Sequence, residues 1–116
     1  MKVFKGIRDG NYVYVTVNGK PLSCREDLRE HSNTFSWGEF NCGSSQLALA
    51  ITSSVLGDDL ALACYHDFKF EVLVRIRIDE WIIDSESVRL WYGTWKKANG
   101  KTQDTAKDSA NVYSYY

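Results

Sequence analysis

Gly43-Ser44-Ser45-Gln46-Leu47-Ala48-Leu49-Ala50-Ile51-Thr52-Ser53-Ser54-Val55-Leu56-Gly57-Asp58-Asp59 decides the fold. Leu47, Ala48, Ala50, Ile51, Val55 and Leu56 form an apolar face wide enough for a buried helix. Ser44 is the expected N-cap, because its hydroxyl can accept from a free backbone N–H. Gly57 is the expected stop, and Asp58 or Asp59 then caps a second helix. So short a connection predicts an antiparallel helix pair. Along the second helix, Ala61, Cys64, Tyr65, Phe68, Val72 and Ile76 keep helical spacing. Phe70, Val72, Val74, Ile76 and Ile78 also alternate as a strand would, and the stripe favours helix to about Arg75 or Ile76. Ser85-Glu86-Ser87 reads as a third helix start, with Val88, Leu90, Trp91 and Trp95 on two to three turns.

Upstream, Val3–Ile7 and Tyr12–Val17 flank Asp9-Gly10, which supplies the positive φ of a tight hairpin turn. Asn18-Gly19 is a second turn signal before Lys20-Pro21-Leu22. A two-stranded ribbon is marginal alone and must pack on something. Residues 23–43 are irregular and polar, yet carry Phe35, Trp37 and Phe40. A connection of that length with its own aromatics is functional or a packed Ω-type loop. The expected architecture is α+β: an N-terminal β-hairpin packed on a helical pair, with a short third helix. Residues 1–95 read as one compact domain, and 96–116 as a flexible polar tail ending in Val112-Tyr113-Ser114-Tyr115-Tyr116.

The chain has 116 residues, 14 Lys plus Arg against 15 Asp plus Glu, and a net charge of -1. Such a length suits one domain. The near-neutral balance excludes a broad basic field for nucleic acid. Removing 96–116 leaves 10 basic and 13 acidic residues, which strengthens that exclusion. No apolar run reaches the roughly 20 residues that span a bilayer, and the first residues lack a signal-peptide core. These features predict a cytoplasmic protein. Cys24, Cys42 and Cys64 form no CxxC pair, so neither a zinc site nor a disulfide framework is expected.

Asp27-Leu28-Arg29, His31-Ser32, Phe35-x-Trp37-Gly38 and Gly43-Ser44-x-Gln46-Leu47-Ala48-Leu49-Ala50-Ile51 together resemble a family of small bacterial and phage domains of unknown function. Gly57-Asp58, Tyr65-x-x-Phe68-Lys69-x-Glu71-Val72 and Trp81 extend the resemblance over more than half the chain. It implies a compact α+β domain in phages or mobile elements and supplies no activity. The tail beyond Ala98 departs from it.

Gly43, Ser44, Ser45 and Gln46 open a helix, where free N–H groups and the dipole favour an anion. Arg25, Arg29 and His31 add positive charge, and Trp37 and Phe40 are candidates to stack on a base. No Walker or GxGxxG spacing accompanies them. The plainer reading has Ser44 capping, Gln46 satisfying loop backbone and Trp37 plugging the core. Asp27, His31 and Ser44 or Ser45 invite a hydrolase triad, and Cys42 with His31 a thiol nucleophile, but no Gly-x-Ser-x-Gly elbow exists. His66 reads as a solvated helix residue, and Lys69 joins Arg75 and Arg77 in a modest basic patch. No catalytic residue, metal or cofactor is assigned. The leading expectation is a non-catalytic interaction protein with a protein partner, such as an inhibitor of a host factor. A nucleotide- or phosphate-binding protein and a small hydrolase are the alternatives. Neither a membrane nor nucleic acid is an expected partner, while self-association through the terminal tyrosines is a further expectation.

Overall fold

Strand β1 (Val3–Asp9) and strand β2 (Tyr12–Val17) pair antiparallel, with Gly10 at φ 60° in the turn between them. A computed structural model describes the backbone of residues 1–104 and the side chains of residues 1–99. The second turn uses Asn18 and Gly19, both at positive φ, and leads into the two-residue strand β3 (Lys20–Pro21). Helix α1 (Cys42–Leu56) and helix α2 (Asp58–Glu71) are separated only by Gly57, whose φ of 88° is open chiefly to glycine. The first turn of α1 touches the last turn of α2 through Lys69 Nζ and Ser45 Oγ, which makes the pair antiparallel.

The hairpin gains a partner that the sequence reading did not anticipate. Strand β4 (Glu80–Asp84) pairs antiparallel with β1, giving one sheet in the order β3-β2-β1-β4. Its alternation is masked, because Trp81 and Ile83 turn inward while apolar Ile82 faces out at 67% exposure. Gly6 lies opposite Trp81, and a Cβ there would overlap the indole ring.

The inward side of the sheet supplies Phe4, Val15 and Trp81 to a core shared with Leu47, Ile51, Tyr65, Phe68 and Val88. Helix α1 is buried continuously from Gly43 to Ser53, as its apolar character on several sides requires. Two of its polar members are accommodated by bonds to the helix backbone, Thr52 Oγ1 donating to the Ala48 carbonyl and Ser53 Oγ to that of Ala50. Tyr12, Tyr14 and Ile82 share the outward side, which the core does not reach.

Three boundaries differ from expectation. Asn41, not Ser44, is the N-cap of α1, its side-chain oxygen accepting from the Ser44 N–H at 2.9 Å. Helix α2 stops at Glu71, well short of Arg75, and a 3₁₀ turn follows over Leu73–Arg75. The cause is tertiary. Leu73 gives its carbonyl to the Gly38 N–H at 2.9 Å, and the Ile78 carbonyl accepts from Trp37 Nε1 at 2.9 Å. The Trp-Gly pair thus holds residues 73–78 out of the α-helix. The third helix, α3 (Ser85–Asp104), is long, not short, and begins where Asp84 Oδ1 accepts from the Ser87 N–H. Residues 96–104, read as tail, are helical, while the remaining tail and its terminal tyrosines lie outside the described residues.

Candidate functional site

Gln46 organises the loop that precedes α1. Its Oε1 accepts from the N–H groups of His31 at 2.7 Å and Ser32 at 3.0 Å. Its Nε2 donates to the carbonyls of Arg29, at 3.0 Å, and Cys24. Both oxygen lone pairs and both amide protons are therefore used, and the side chain is fully buried. This is the plainer of the two roles foreseen for Gln46, and it fixes Arg29 and His31 over the start of α1. Arg25 ties the same loop to α2 by pairing with Asp27 and with Asp58, the latter at 2.9 Å. That arrangement raises the Arg25 pKa and lowers those of Asp27 and Asp58.

Four basic side chains converge beside this loop. His31 Nε2 lies 2.7 Å from the Tyr65 hydroxyl, which Arg29 Nη1 also approaches at 3.5 Å. The His31 and His66 rings are 6.0 Å apart, edge to face. Lys69, one turn along α2 from Tyr65, is only 9% exposed and donates from Nζ to Ser45 Oγ at 2.8 Å. The cluster is cationic in character. Burial first, then Arg29 and Lys69, push the His31 pKa down. Burial first, then His31, Lys69 and Arg29, push down that of His66, against a smaller opposing effect of Asp67.

No ion pair links these four groups to a carboxylate among the described residues. The nearby acids have other partners: Asp67 accepts from Trp95 Nε1, and Glu71 from Trp91 Nε1. Among the described residues Lys69 has one hydrogen-bonding acceptor, Ser45, for three ammonium protons, with the Phe70 ring 5.3 Å away. A buried ammonium served by one hydroxyl is poorly compensated for the water it has lost.

The other expected site residues fall elsewhere. Trp37 is 1% exposed, stacked edge to face on Trp81 and covered by the Arg8 guanidinium at 4.5 Å. It is a core plug and offers no ring to a ligand, because the grip on residues 73–78 requires its indole inside. Gly43 is buried, and the space a Cβ would take there is filled by Ser36 and the Phe35 backbone. The helix start expected to cradle an anion is thus occupied by the protein's own chain, with Asn41 on the Ser44 N–H. Ser44 Oγ is buried with no hydrogen-bond partner among the described residues. Asp27 faces Arg25 rather than His31, so a triad with Ser44 or Ser45 is not assembled. Cys42 is exposed, Cys24 partly so, and burial pushes the Cys64 thiol up to about 12. Among the described residues no group of three His, Cys, Asp or Glu side chains is placed to hold a metal, and no helix is long and apolar enough to cross a membrane.

The sequence reading missed Tyr65, His66 and Lys69 as companions of His31. One signal was available: Ser45 and Lys69 are equidistant from Gly57, so folding the helix pair about that glycine sets them opposite each other. Comparison with protein families adds that a model of a family of unknown function (DUF6166) matches residues 4–94. No curated protein and no solved structure matches the chain.

Proposed function

Because the chain belongs to DUF6166, a family of unknown function, we propose from its geometry that it is a non-catalytic binding protein for an oxyanion ligand of the phosphate class. The observation that carries this reading is the buried Lys69 ammonium, flanked by Arg29, His31 and His66 and unpaired with any carboxylate among the described residues. An anion beside them would supply the missing acceptors, and charge-assisted hydrogen bonds are the stronger kind. Gln46 serves the site indirectly, by holding the backbone of Arg29 and His31.

Thermal unfolding in inorganic phosphate and in sulfate tests the proposal. A ligand at a hundred times its Kd adds about 2.7 kcal/mol of stability, a shift of several degrees for a chain this size. Stabilisation by both anions at matched ionic strength, absent in Arg29→Gln, is expected. Equal melting in chloride, phosphate and sulfate overturns the reading.

A second reading, a protein-interaction module, draws on a different observation. Tyr12, Tyr14 and Ile82 stand on one side of the sheet at 67%, 56% and 67% exposure. Aromatic side chains on an open sheet surface suit a protein partner. The phage or mobile-element setting and the inhibition of a host factor belong to this reading. Tyr14→Ser and Ile82→Ser would abolish partner capture while leaving anion binding intact.

A further inference from the structure

Beside the cationic cluster stands an apolar feature that anion binding alone leaves unused. Phe40, in the turn before α1, is 71% exposed, and Phe70, near the end of α2, is 47% exposed. Their rings lie 5.5 Å apart, tilted by 36°. Keeping two phenyl rings together in water forgoes the gain that burying them would bring. The rings also adjoin the charged groups. Lys69 Nζ is 5.3 Å from the Phe70 ring centre, and Phe70 follows His66 by four residues on α2, so the two side chains lie on one face of that helix. Exposed Phe70 and Phe40 thus stand beside the buried Lys69, with His66 on the same face of α2 and His31 next to His66.

We propose that the ligand of this surface is a nucleotide, its phosphate held by Lys69, His66, His31 and Arg29 and its base stacked on the Phe40–Phe70 shelf. The proposal rests on the anion reading above and adds the rest of the ligand to it. A nucleotide joins a phosphate and a flat ring within one small molecule, which is the combination this surface offers. Phenyl rings accept any base by stacking, so the shelf by itself selects for a ring rather than for one particular base. It also takes over the stacking role that the sequence suggested for Trp37, which the core has claimed.

The test is calorimetric titration of the full-length protein with AMP, GMP, UMP, ribose 5-phosphate, adenosine and inorganic phosphate. The expected result is that the nucleoside monophosphates bind at least about tenfold tighter than ribose 5-phosphate, a ratio set by stacking on the shelf. The double variant Phe40→Ala/Phe70→Ala should lose that ratio while keeping its affinity for ribose 5-phosphate. Both rings are exposed, and an unchanged circular-dichroism melt would show that the variant folds. If AMP and ribose 5-phosphate bind equally, or the double variant binds AMP as the parent does, the shelf has no part in recognition and the anion reading stands without it. If adenosine binds as tightly as AMP, the phosphate end is wrong. If none of the six probes binds, both readings fall.

Discussion

Lys69→Met separates the two roles that a buried lysine can have. Methionine keeps the unbranched shape and removes the charge. If the ammonium is held at a cost for the sake of a ligand, the variant should gain about 1 kcal/mol or more in urea unfolding and lose all anion-dependent stabilisation. A loss of stability would instead make the Ser45 contact a structural bond. Gln46→Leu should behave in the opposite way. It strips partners from four loop groups, of which His31 N–H, Ser32 N–H and the Arg29 carbonyl lie at 2.7, 3.0 and 3.0 Å. Leaving even one such group unsatisfied costs about 1–3 kcal/mol, and cleavage in the 24–33 loop by a limiting protease should accelerate as well. At this scale Arg29, His31, Ser45 and Gln46 were legible as neighbours, because they precede or open one helix. Lys69 and His66 were not, because each looks like an ordinary polar helix residue until Ser45 is set opposite Lys69 across Gly57 and the loop brings His31 to His66.

Between elements, the contact that shapes the sheet is β1 against β4. Gly6 lies within strand β1 and has ordinary extended backbone, so its requirement comes from the Trp81 ring lying where a Cβ would be. Trp81 cannot swing away freely, because it is 6% exposed and packs edge to face on Trp37. Gly6→Ala should therefore lose about 1–3 kcal/mol by overpacking. The same alanine in a Trp81→Leu background should cost much less, and the double-mutant cycle measures that coupling. Independent, additive losses would mean that ring and glycine do not meet. The hairpin, the α1–α2 pair and the Gly57 break were legible because each follows from local period and turn chemistry. Strand β4 and the 3₁₀ turn were not, for a shared reason. Five residues with an outward isoleucine carry too little alternation, and the end of α2 is decided by hydrogen bonds from Trp37 and Gly38, distant in sequence.

Across the whole molecule, a net charge of -1 conceals a local concentration of basic groups, which is why composition excluded a nucleic-acid groove without revealing this cluster. That concentration has a pH signature. His31 and His66 have folded-state pKa values below the ordinary 6.5, chiefly through burial and then through neighbouring cations. The groups facing them are Arg29, Lys69 and Tyr65, with Asp67 as the opposing charge. Just below pH 6.5 the unfolded chain binds protons that the folded chain does not, so stability should fall as pH drops through that region. This loss is separate from the one expected below about pH 3.8, where Asp27 and Asp58, whose pKa values Arg25 lowers, would be protonated. An anion on the cluster favours the protonated histidines, so by linkage its affinity must rise as they take up protons. Sulfate keeps its charge across the range and isolates the effect from the titration of phosphate itself. Its stabilisation of the protein should be larger at pH 5.5 than at pH 8, and His31→Gln/His66→Gln should flatten both that difference and the loss of stability below pH 6.5. Sulfate stabilisation that is the same at both pH values would mean the histidines stand apart from the anion, leaving Lys69 and Arg29 to hold it.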